Sequence, residues 1–218
     1  MKRIEVTLTL QKTKIVPVFY HPDTNIGCSV LQLCYDHGIR IFEFTNRGIG
    51  AHEVFRALKA YAVEHCPALY LGIGTVVEAG TAALFIQEGA DFVVSPVLSH
   101  DIFKVCNRRK VLHIPGCATL SEISQAEEYG AEIVKVFPGD VLSPKFVKGL
   151  KGPMPWTNVM VTGGVTPEED NLSAWFEAGV TAVGMGSKLF SKAHLANKNF
   201  EAIGEQLKKT IQIINSLP

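Results

Sequence analysis

Short apolar runs alternate along the chain with longer stretches of mixed character. The runs cover residues 15–20, 39–45, 68–74, 91–95, 111–115, 132–137, 158–162 and 181–185. Most are rich in β-branched or aromatic residues and close on glycine, proline or polar positions, the pattern of buried parallel strands. Between them, apolar residues recur three and four apart. Ile26, Val30, Leu33 and Cys34 share one face, as do Val54, Ala57, Leu58, Tyr61 and Ala62, which predicts helices with a core-facing stripe. Further helices are predicted near residues 78–89, 99–108, 119–129, 143–150 and 168–178, and Phe200, Ile203, Leu207, Ile211 and Ile214 mark a closing one. Gly38, Gly89, Gly130 and Gly179 each stand just before the next run, where a helix C-cap needs a left-handed residue.

Eight alternating strand and helix units predict a (β/α)8 TIM barrel spanning residues 1–218 as a single domain, somewhat short of the ~250 residues typical of that fold. A doubly wound open sheet is the alternative, but no G-x-G-x-x-G follows the first run, where Val16-Pro17-Val18-Phe19-Tyr20 leads into His21-Pro22-Asp23. The first dozen residues read as an extra amphipathic segment over the barrel floor.

Charge narrows the partners. Lys and Arg number 21 against 21 Asp and Glu, so the chain carries no electrostatic footprint for DNA, RNA or an anionic membrane surface, and any anion must be gripped locally. No segment approaches the ~20 apolar residues of a membrane span. Met1-Lys2-Arg3 is basic, yet the stretch after it is broken by Glu5 and Thr7 and is too polar for a signal sequence. The five cysteines lack the paired short spacings of a zinc site and read as reduced thiols of a cytoplasmic protein.

Within the sixth run, Glu132-Ile133-Val134-Lys135-Val136-Phe137-Pro138-Gly139, a lysine stands mid-strand. Burying an ammonium is costly unless it is paired or loses its proton. Lys135 is therefore either a desolvated, neutral amine able to form a Schiff base with a carbonyl compound, or a snorkelling or ion-paired lysine on an edge strand. Side chains alternate along a strand, so in the second run Ile41, Glu43 and Thr45 share one face and Phe42 and Phe44 the other. With the phenylalanines turned to the helix layer, Glu43 points into the barrel, as Lys135 does. That pairing fits a nucleophile with its proton carrier and fits a plain buried ion pair equally well. Arg47, at the end of the same run, suits a bidentate clamp on a carboxylate.

The seventh and eighth runs end in Thr162-Gly163-Gly164-Val165 and Gly184-Met185-Gly186-Ser187. Both turns can present bare backbone N–H groups to an anion, in the two places where barrels build phosphate sites.

These motifs, taken with Glu43-Phe44-Thr45-Asn46-Arg47, Gly72-Ile73-Gly74-Thr75-Val76, Ser95-Pro96, Pro115-Gly116 and Val134-Lys135-Val136-Phe137-Pro138, resemble in order and spacing the 2-keto-3-deoxy-6-phosphogluconate / 4-hydroxy-2-oxoglutarate aldolases. The resemblance runs from Ile15 to about Leu189. It implies a class I, metal-free and cofactor-free barrel enzyme, usually a homotrimer, acting on a small 2-oxo acid that is phosphorylated in some members. Position by position, it implies Lys135 as the Schiff-base lysine and Glu43 as the general acid/base. Arg47 and Thr75 would hold the pyruvyl carboxylate, Pro96 and Phe137 would be apolar walls, and Thr162, Gly163, Gly164, Gly186 and Ser187 would form the anion grip. The chain departs from the family pattern at Asn46 and Gly48. It also offers no arginine or lysine in Phe19-Tyr20-His21, so phosphate charge is expected to meet helix dipoles and backbone alone. The rival readings are another phosphate-binding barrel, an epimerase or synthase that would not need Lys135, and a non-catalytic metabolite-binding barrel.

Overall fold

The computed structural model describes residues 2–217; Met1 and Pro218, the outermost positions of the span expected to form one domain, lie outside the described residues. Among the described residues nine strands form one parallel sheet in the order β5-β4-β3-β2-β1-β9-β8-β7-β6. They are β1 (Ile15–Phe19), β2 (Ile41–Thr45), β3 (Tyr70–Gly74), β4 (Phe92–Val94), β5 (Leu112–Ile114), β6 (Gly116–Cys117), β7 (Val134–Val136), β8 (Val159–Thr162) and β9 (Ala182–Met185). β5 and β6 are successive pieces of one strand; β5 lies in the fifth run of the sequence and β6 continues past its end. Pro115 separates them because it has no N–H to donate to a ladder. β5 pairs with β4 and β6 with β7, so the terminal members of that order are joined through a single residue and the eight-stranded ring is completed there. The Lys135 N–H donates to the Pro115 carbonyl across this join at 2.8 Å.

The helices are α1 (Lys2–Thr13), α2 (Thr24–Asp36), α3 (Ala51–His65), α4 (Ala79–Gln87), α5 (His100–Arg109), α6 (Leu120–Glu128), α7 (Gly139–Lys151), α8 (Glu169–Glu177), α9 (Lys192–Ala196) and α10 (Phe200–Ser216). Gly38, Gly89, Gly130 and Gly179 all take positive φ, between 89° and 97°, as their predicted capping role requires. α7 begins four residues before its predicted start. Ser143, at φ 64°, interrupts it ahead of Pro144, and the apolar stripe is legible only after that break.

Strand alternation divides the apolar residues into two clusters. The outer one, with Phe42, Phe44, Val134, Val136 and Val161, packs against the helices. The inner one, with Val16, Ile41, Phe92, Leu112, Ile133, Met160 and Ala182, fills the lower barrel and is closed by Val6 and Leu10 of α1. The expected floor segment is therefore a helix with two residues plugged into the barrel. Arg3 fastens it, donating to Glu132 at 2.6 Å, Asn107 at 2.6 Å and the Gly130 carbonyl at 2.6 Å. The buried Asp91 adds a second tie, accepting from Lys59 at 2.5 Å, the Leu71 N–H at 2.9 Å and Lys2 at 3.1 Å. Among the described residues no helix is long and apolar enough to cross a membrane.

Candidate active site

With the lower barrel filled by apolar side chains, the next inward positions of β2 and β7 carry the two ionisable groups. Glu43 is 1% exposed and Lys135 6%. Room for them comes from the neighbouring strand: a side chain at Gly74 would overlap the Glu43 carboxyl, and one at Gly72 would overlap the Phe92 ring. Burial pushes the Glu43 carboxyl above the usual carboxylate range, against the opposing pull of Lys135 and Arg47. Burial likewise pulls Lys135 below the usual lysine range; Glu43 opposes that shift and Arg47 adds to it. Among the described residues Lys135 makes no direct ion pair; its Nζ lies 4.9 Å from the centroid of the Phe137 ring. Glu43 Oε2 is buried with no hydrogen-bond partner. Two inward groups whose surroundings favour their neutral forms differ from a structural ion pair, which would hold both charges in contact.

A cavity of about 440 Å³ opens above this layer, at the C-terminal ends of β1, β2, β8 and β9. Arg47, Phe137, Thr162, Gly163, Gly164, Gly186 and Ser187 line it, together with Thr45, the next inward residue above Glu43. Thr75 is outside the lining but reaches it through Arg47, whose Nε lies 3.4 Å from the Thr75 hydroxyl. Thr75 holds φ at 60°, a left-handed conformation that β-branched residues rarely adopt. Pro96 is also outside the lining. Its backbone fills the space where a side chain at Gly116 would go, beside the β5–β6 join.

The glycines after β8 and in β9 permit close backbone approaches. Gly163 and Gly164 take φ of 91° and 69°. A Cβ at Gly164 would come within 2.8 Å of the Asp140 backbone, and one at Gly184 within 2.6 Å of the Thr162 hydroxyl. That hydroxyl is buried without a partner at the cavity wall.

Lys188 and Lys192 also line the cavity, on the side of the glycine turns. Sequence reasoning missed them because it stopped at Ser187, and because the five residues of α9 are too few to display a helical stripe. Tyr20 also lines the cavity, its ring 5.6 Å from that of Phe44 and its hydroxyl in the space that a side chain at Gly48 would need. The departure from the family pattern at Gly48 thus has a steric partner at Tyr20.

Two other buried polar side chains are structural. His113 faces the helix layer, shares a 2.8 Å hydrogen bond with Ser95 and packs on Phe103; its Nδ1 has no partner. Burial pushes the Cys117 thiol up to about 12, which leaves it unreactive. Among the described residues no group of three His, Cys, Asp or Glu side chains converges as metal ligands.

A family model described as KDPG and KHG aldolase matches residues 6–206. A 2-dehydro-3-deoxy-phosphogluconate aldolase of Haemophilus influenzae is 30% identical over 207 residues, 94% of each chain. A 2-dehydro-3-deoxy-6-phosphogalactonate aldolase of Escherichia coli is 34% identical over 121 residues, 55% of this chain and 58% of the relative. The fold matches, at a TM-score of 0.85 and 22% identity, that of a KDPG aldolase of Legionella pneumophila solved with pyruvate captured at low pH as a covalent carbinolamine intermediate; the match covers 94% of this chain and 97% of that one.

Proposed function

Because the chain belongs to the KDPG and KHG aldolase family, a family of aldehyde-lyases acting on small molecules, we propose that it cleaves a 2-keto-3-deoxy acid through a Schiff base on Lys135. The observation that carries this reading is a buried lysine held toward its neutral form, on the same inner layer as an unpartnered carboxyl and below a cavity rimmed by Arg47. The carbinolamine captured in the Legionella pneumophila aldolase supports the same chemistry.

In the proposed sequence Arg47, steadied by Thr75, holds the carboxylate and brings the C2 carbonyl to Lys135. The neutral amine adds to C2, and loss of water leaves an iminium. Glu43 takes the proton of the C4 hydroxyl; the C3–C4 bonding pair flows into the iminium, giving an enamine and releasing the aldehyde. Protonation at C3 and hydrolysis then free pyruvate and the lysine. The aldehyde is glyceraldehyde 3-phosphate from 2-keto-3-deoxy-6-phosphogluconate and glyoxylate from 4-hydroxy-2-oxoglutarate. The Gly163-Gly164 and Gly186-Ser187 turns face the departing half.

The reading extends to a homotrimer in the cytoplasm. Ile49, Val77, Val97 and Val141, all exposed and all following C-terminal strand ends, support burial against neighbouring copies. Five free cysteines support a reducing compartment. Borohydride reduction with pyruvate tests the chemistry: the trapped mass is expected on the peptide containing Lys135. Aldol cleavage that survives Lys135→Ala would overturn the mechanism and favour an epimerase- or synthase-type barrel.

A further inference from the structure

We propose that Tyr20 is a specificity-determining residue of this site: its hydroxyl hydrogen-bonds the C5 hydroxyl of the 2-keto-3-deoxy acid, so that the chain favours substrates that carry a hydroxyl there. The inference rests on the Schiff-base reading above, which fixes where C2 and the carboxylate lie.

Three observations carry it. The first is position. β1 stands between β2 and β9 in the sheet, so the loop after it lies between Arg47, which follows β2, and the glycine turns that follow β8 and β9. With the carboxylate at Arg47 and C2 at Lys135, Tyr20 flanks the middle of the substrate. Glu43 serves the C4 hydroxyl from below, and the next oxygen along the chain is the one on C5.

The second is a free hydroxyl. Those of Tyr61, Tyr70 and Tyr129 are hydrogen-bonded to Gln32, Glu5 and Gln125, whereas that of Tyr20 has no hydrogen-bond partner among the described residues. The other polar groups of its loop are engaged locally. His21 Nδ1 accepts from the Asp23 N–H at 3.0 Å, and Asp23 caps α2 by accepting from the Asn25 N–H at 2.8 Å.

The third is a fixed direction. The Tyr20 ring packs at 5.6 Å on the buried Phe44, and its hydroxyl lodges in the space left bare at Gly48, where a Cβ would fall on it. A phenol both donates and accepts a hydrogen bond, which suits an alcohol. A site built to bond a substrate hydroxyl discriminates against the analogue that lacks it, because its own polar group is then left unpaired.

Pyruvate release is measured from 4,5-dihydroxy-2-oxopentanoate and 4-hydroxy-2-oxopentanoate, which differ only in the C5 oxygen and carry no charge beyond the carboxylate. The wild type is compared with Tyr20→Phe and Gly48→Ala. In Tyr20→Phe, kcat/KM on the dihydroxy acid should fall about three- to tenfold, the range for one neutral hydrogen bond, while that on the monohydroxy acid stays within about twofold. Gly48→Ala, whose methyl evicts the hydroxyl at a position with no positive φ, should show the same selective loss. Equal losses on both acids in Tyr20→Phe, or no loss on either, overturn the inference. Pyruvate has no C5, so borohydride trapping on wild-type Lys135 separates the two readings. Trapping without a selective loss overturns only the role of Tyr20, whereas failure to trap overturns both.

Discussion

Glu43 occupies the space that a side chain at Gly74 would fill, so the inward carboxyl of one strand depends on the bareness of the next. β2 and β3 are parallel neighbours, with Glu43 opposite Gly72 and Thr45 opposite Gly74. The Glu43 side chain leans one step up the barrel into the gap beside Thr45. Gly74→Ala is expected to displace the carboxyl and lower kcat by roughly 10²- to 10⁴-fold, the range for loss of a positioned acid or base. Gly74 has no positive φ, so the variant should fold, and circular dichroism beside turnover checks this. Wild-type kcat in that variant would remove Glu43 from the proton path.

A second expectation concerns Lys135 and stability. The folded state holds its pKa below that of the unfolded chain, so the unfolded chain binds the extra proton and stability rises with pH across the window below 10.5. Lys135→Met keeps the volume and removes that cost. The variant should be inactive, should resist urea better than wild type at pH 7, and should lose this advantage as the pH approaches 10.5. A lower urea midpoint for the methionine variant at pH 7 would show that the lysine is held as a stabilised ammonium.

The same linkage acts with a different group in acid. Burial holds His113 at about 3 against an ordinary 6.5, so between those values the unfolded chain takes up a proton that the folded one refuses. Stability should fall as pH drops through this window, by up to ~1.4 kcal/mol per pH unit. His113→Asn, which can keep a hydrogen bond to Ser95, should show a smaller drop in urea midpoint between pH 7 and pH 5. An identical drop would assign acid sensitivity to other groups.

Asp91 gathers Lys59, Lys2 and the Leu71 N–H at the bottom of the barrel. Asp91→Ala strands Lys59, which is only 16% exposed, and should cost about 3 kcal/mol in urea unfolding. Lys2 is 68% exposed, and Lys2→Ala should cost less than about 1 kcal/mol. Comparable losses would mean that the clamp draws its strength from α1 rather than α3.

The parts of the molecule that obey a two-residue alternation were legible in the sequence. The inward direction of Glu43 and Lys135 follows from Phe42, Phe44, Val134 and Val136 needing the helix layer, and no competing signal disturbs it. The four capping glycines were legible because only a left-handed residue ends those helices cheaply. Contacts between separate loops were not. Lys188 and Lys192 belong to a segment with no periodicity, and their meaning comes from turns that other strands supply. The packing of the Pro96 backbone on Gly116 is likewise a contact that no spacing in one strand encodes. The continuation of the fifth strand past Pro115 was hidden for a different reason. Proline ends a ladder locally, but whether the chain resumes pairing on its other side depends on the neighbour it meets.

The break at Pro115 bears on how the ring is held. All eight strand-to-strand boundaries are paired, but the fifth strand meets its two neighbours in separate pieces, β5 on β4 and β6 on β7, and beside the break the Lys135 N–H answers the Pro115 carbonyl. The buckle of the belt is fastened at the proposed nucleophile, so a tight circle there also fixes the strand that aims the amine.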